Sequence, residues 1–111
     1  MMNTTAFEPE VLDRIFQSLP PQDRADILSV GAAFHRLSLE KRLARAQNKV
    51  QAFEAKYHTT LDRLEADGLP DDTDYAIHED YVEWHYWRRV LEQTRKTLDT
   101  LAEISSELEP A

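Results

Sequence analysis

Cysteine is absent from this chain of 111 residues, which excludes a disulfide scaffold, a thiolate zinc site, an iron–sulfur cluster and a thiol nucleophile. Glycine is almost as scarce. With only two, Gly31 and Gly68, few positions accept the positive φ that tight hairpins need, and Asp67-Gly68 runs into Pro70 and acids instead of an alternating apolar strand. Long apolar runs are missing too: nothing approaches the roughly 18 apolar residues of a membrane span. The opening MMNTTAFEPE carries acids where a secretory leader needs bases and then an apolar core. A soluble, cytoplasmic protein with no membrane association is therefore expected. Bases are in deficit, 13 against 21 acids, for a formal charge of −8. The length permits a single domain over residues 1–111.

What remains is helical periodicity. Pro9 suits a first-turn position, and Val11, Leu12, Ile15, Phe16 and Leu19 follow at helical spacing, which predicts a helix over 9–19 that ends at Pro20-Pro21. A second helix is expected over 21–57, with Asp23 and Asp26 near its positive N-terminal dipole end. Its apolar phase changes midway. Ile27, Val30, Phe34 and Leu37 form one stripe; Leu39, Leu43, Ala46, Val50, Phe53 and Tyr57 form a coiled-coil seam. Gly31 or Ser38 is the candidate for a kink between them. Residues 58–74 form an acidic elbow, in which Thr60 is placed to cap a short helix carrying Leu61 and Leu64. The last helix is expected over 75–108. Its seam runs Ile77, Trp84, Leu91 and Leu98 in one heptad position and Trp87, Thr94, Leu101 and Leu108 in the other. The fold class is all-α: a long antiparallel, coiled-coil-like helical hairpin with an additional N-terminal helix folded across one end and a short elbow helix. Narrow seams leave Phe34, Leu37, Val90 and Ile104 over, which favours a homodimer or a hetero-complex.

Charge is segregated. Residues 58–83 hold nine acids and one base, so the elbow region alone accounts for the whole net charge of −8. Five aromatic residues, Tyr75, Tyr81, Trp84, Tyr86 and Trp87, crowd into the same end of the hairpin. Patterns that suggest metal fail on spacing. In HEDYVEWH the residue four after His78 is Val82, and His85, seven residues on, lies about 10 Å further along the helix axis. A calcium loop starting at Asp72 would put Ile77 where glycine is required. No glycine-rich phosphate loop, nucleophile elbow or isolated carboxylate pair is present, so neither an enzyme nor a cofactor is implied. Lys41, Arg45 and Lys49 line one helical face, a stripe that suits phosphate contact, yet seam-flanking charge explains it better in a protein of net −8. Nucleic acid is disfavoured, and whether this face touches DNA stays open.

The segment from FEAKYHTTLDRL through DDTDYAIHEDYVEWHYW, with its K-Y elbow and Glu83-Trp84 motif, resembles a group of small helical bacterial and archaeal proteins that look like antitoxins of toxin–antitoxin pairs. The likeness spans about residues 50–100. His58 stands where that group usually has glycine. The resemblance implies neutralisation of a cognate toxin, such as a basic RNA-acting protein, by direct binding. An acidic, aromatic surface of Asp71, Asp72, Asp74, Tyr75, Glu79, Tyr81 and Tyr86 would complement such a partner. A homodimeric scaffold or adaptor, and less strongly a DNA-binding autoregulator, are the alternatives.

Overall fold

The computed structural model describes residues 8–69 and 75–108. The described residues form four helices and no strand: α1 (Pro9–Gln17), α2 (Pro21–Tyr57), α3 (Leu61–Asp67) and α4 (Tyr75–Leu108). The architecture expected from periodicity is therefore present, with α1 two residues shorter because Ser18 and Leu19 form its closing turn.

α2 and α4 make the hairpin. Phe53 and Tyr57 meet Trp84, Arg45 and Lys49 meet Trp87, and Leu28 shares a surface cleft with Ile104 and Leu108. Residue numbers fall along one helix as they rise along the other, so the pair is antiparallel. The buried positions are those of the seams: Leu39 and Ala46 on α2, and Trp84, Leu91 and Thr94 on α4. Ala46, with no side chain beyond Cβ, is completely buried in the seam. Trp84 is fully buried, with its indole stacked against the rings of Phe53 and Tyr57, at centroid distances of 5.6 and 5.8 Å.

The N-terminal third departs from expectation in its packing. α2 runs as one helix through Gly31 and Ser38, and its seam continues through buried Ala32. The stripe of Ile27, Val30, Phe34 and Leu37 points away and is exposed. α1 buries none of its residues, so it does not close over the end of the hairpin. It is held by its backbone: the Arg24 guanidinium donates to the carbonyls of Gln17, at 3.2 Å, and Leu19, at 2.5 Å, satisfying oxygens that the last turn of α1 leaves free.

At the other end, α2 stops at His58, which adopts the left-handed conformation (φ 54°, ψ 38°). That is the helix ending glycine usually provides, achieved here by a residue with a Cβ. The Thr60 hydroxyl then accepts from the Arg63 amide at 3.2 Å, capping α3 as expected, and Leu61 is buried beneath it. α3 closes at Gly68, whose φ of 80° and ψ of 157° lie in a region essentially restricted to glycine.

Candidate protein-binding site

Three surfaces of the hairpin stand out; of the expected site residues that are described, Tyr75, Glu79 and Tyr86 lie on the first and Tyr81 on none. Asp71, Asp72 and Asp74 lie outside the described residues. Tyr75, Glu79 and Tyr86 fall on one outward face of α4, spaced by one and then two helical turns, and Val82 completes the stripe between them. Tyr75 is 77% exposed, Val82 67% and Tyr86 52%. With His78 and Glu83 they line an open depression on the helix surface. The Tyr86 ring meets Trp87 edge-on at 5.1 Å, which fixes its direction while leaving half of it in water.

Tyr81 belongs elsewhere. It is half-buried, its ring stands edge-on to His85 at 5.0 Å, and its hydroxyl donates to Glu65 at 3.1 Å. Glu65 also contacts the His85 imidazole and the Arg88 guanidinium, and Arg88 bonds Asp62 as well. This group clamps α3 to α4. The bond from His85, helped by Tyr81 and Arg88, holds the Glu65 carboxyl below its ordinary value of 4.5. Burial and the bond to Glu65 push the Tyr81 phenol up from 10.0. Tyr81 thus serves the elbow's internal structure. Asp62, Glu65, His85 and Arg88 escaped the sequence reading because nothing in their spacing reveals that α3 folds back onto α4.

A second surface is the groove between α2 and α4 below Trp87, with a volume of about 960 Å³. Lys41, Arg42 and Arg45 from α2 and Lys96 from α4 line it, without an acid among its lining residues. The Arg45 guanidinium and the Lys49 ammonium sit 5.2 and 5.8 Å from the centre of the Trp87 ring, so part of the basic stripe is committed to that ring. Sequence alone placed Lys41, Arg45 and Lys49 on one face; only folding adds Lys96.

The third surface is the apolar one at the N-terminal end. Leu12 and Ile15 on α1, and Ile27, Val30, Phe34 and Leu37 on α2, are all exposed, Phe34 to 77%. Scattered exposed apolar residues are ordinary on monomers; here six large ones on two consecutive helices are left in water.

Among the described residues there is no cluster of three or more His, Asp or Glu arranged to hold a metal ion, and no helix long and apolar enough to cross a membrane. Neither a protein-family model, nor a curated protein sequence, nor a solved structure matches this chain.

Proposed function

We propose that this protein is a non-catalytic helical binding partner that neutralises a cognate toxin by direct protein–protein contact. The observation that carries the binding role is the exposed apolar face of α1 and the first half of α2. Leaving Val30, Phe34 and Leu37 in water forfeits about 1.5–3 kcal/mol per side chain relative to burial, a cost that a docked partner removes. α1 supports the same reading: it is tied by Arg24 to the start of α2, yet it presents Leu12 and Ile15 outward. The likeness of the elbow and Glu83-Trp84 to antitoxins supplies the partner's class. The acid excess between residues 58 and 83 then attracts a basic toxin over distance, while the apolar face makes the contact.

The test is co-expression with the product of the neighbouring gene. The parent chain restores growth and co-purifies with that product. Phe34→Asp, which places a charge on a side chain that is 77% exposed, keeps the helicity of the parent and loses both effects. A neighbour that is harmless when expressed alone removes the antitoxin reading; full rescue by folded Phe34→Asp removes the proposed surface.

A further inference from the structure

The outward stripe of α4 and the basic groove are parts of one surface. Tyr86 lines both, and the stripe continues past it through Val90, Gln93 and Thr97 at three- and four-residue steps. From Tyr75 to Thr97 it runs about 33 Å, enough to seat a helix of similar length. Its charge is ordered along that length. Glu79 and Glu83 lie toward the elbow; Lys96, with Lys41 and Arg42 of α2 beside it, lies toward the other end.

We infer that this surface binds a second copy of the chain, as an antiparallel, two-fold symmetric pair of α4 helices with Tyr86 near the axis. Such an axis makes the interface isologous, and each residue faces the one equally far from Tyr86 on the opposite side. Val82 then faces Val90 of the other copy and Glu79 faces Gln93, one turn from Lys96. Tyr86 meets itself. Valine falls on valine, and the acidic end of each copy lies alongside the basic end of the other. A parallel pairing would set Glu79 and Glu83 against themselves and stack the two sets of cations. Nucleic acid fits only half of the surface, because the Glu79–Glu83 half repels phosphate. The inference uses none of the apolar face assigned to the toxin, so either can fail alone.

Because the chain has no cysteine, single substitutions report the geometry directly. Under mild oxidation of the full chain at micromolar concentration, Tyr86→Cys should form a disulfide-linked dimer. Tyr75→Cys and Thr97→Cys should each stay uncrosslinked alone and crosslink when mixed. Charge gives an independent readout by sedimentation equilibrium. Glu79→Lys with Glu83→Lys should weaken dimerisation about tenfold or more, and adding Lys41→Glu and Lys96→Glu to the same chain should recover most of it. Circular dichroism checks that each variant keeps its helices. A parent that is monomeric at high micromolar concentration overturns the inference. So does self-crosslinking of Tyr75→Cys or Thr97→Cys as fast as that of Tyr86→Cys, or a dimer indifferent to the charge reversals. Binding of a labelled RNA oligonucleotide by a monomeric parent, lost in Lys41→Glu with Lys96→Glu, assigns the groove to nucleic acid and also overturns it.

Discussion

Asp80 occupies a seam position of α4, seven residues before Trp87, where the heptad would otherwise place an apolar side chain. Its carboxylate accepts from the Lys56 ammonium and the Tyr57 hydroxyl, each at 2.5 Å. The bond from Lys56, reinforced by that from Tyr57, holds the Asp80 carboxyl below its ordinary value of 3.8. Lys56 is raised above 10.5, mainly by the same bond. A depressed carboxyl contributes stability that is complete above its unfolded pKa and disappears as pH falls through the folded one; Glu65 behaves likewise from 4.5. Urea midpoints should therefore decline on acidification from about pH 5 to pH 3, and Asp80→Asn should flatten that decline while lowering the midpoint at neutral pH. Lys56 has the opposite sign, and its share is lost only as alkali deprotonates it. His58 offers a gain instead. A left-handed backbone costs a residue with a Cβ roughly 1–2 kcal/mol that glycine avoids, so His58→Gly should raise stability by about 1 kcal/mol once glycine's greater unfolded-state freedom is subtracted. A lower urea midpoint for this variant would show that the imidazole makes contacts worth more than the strain.

Among the elements, α3 depends most on its neighbours. At seven residues it is too short to persist alone, and it is kept by the Thr60 cap, the buried Leu61 and the clamp through Arg88. Arg88→Ala removes the group that joins Asp62 and Glu65 to α4. Amide exchange should then quicken over Leu61–Asp67 while the middle of α2 keeps its protection; equal quickening in α2 would mean that the clamp supports the whole hairpin. α2 contains the reverse case. Gly31 sits inside the helix with open space where a Cβ would go, so it relieves no crowding. Gly31→Ala should raise the thermal midpoint, since alanine favours a helix interior by about 1 kcal/mol over glycine. An unchanged or lower midpoint would point to a bend that the glycine serves.

For the whole molecule, the radius of gyration of 20.1 Å far exceeds the roughly 13 Å of a compact chain of this length. The molecule is elongated, and the buried core of the hairpin is confined to the facing seams of α2 and α4. Trp84 is the largest of them, so Trp84→Ala should cost about 3–5 kcal/mol, a large part of the 5–15 kcal/mol typical of a small domain. A thermal melt would show that loss as a drop in the midpoint. Substituting Val82 or Phe34 by a polar residue should leave the melt nearly unchanged and affect association alone. The contrast separates residues that hold the fold from residues that use it. The ring of Trp84 and that of Tyr86 are two positions apart in sequence, yet one has no exposure and the other is 52% exposed.

Much of this architecture was legible in the chain itself. Prolines at 9, 20 and 21 punctuate the first helices, Thr60 announces α3, and heptad spacing through Trp84 and Leu91 marks the seam of α4, because these signals act through local backbone preference and helical period. Which of two stripes on α2 faces α4 is not a local property. Ile27, Val30, Phe34 and Leu37 have the more apolar pattern, but a continuous seam from Tyr57 through Leu39 carries Ala32 inward and leaves that stripe outside. Tyr81 reads as a free aromatic anchor until α3 folds back and Glu65 takes its hydroxyl. Lys96 joins Lys41 and Arg42 only because an antiparallel partner brings distant residues to one groove. Periodicity sets what each helix can bury; the hairpin's register decides what it does bury, and so which surfaces are left to bind.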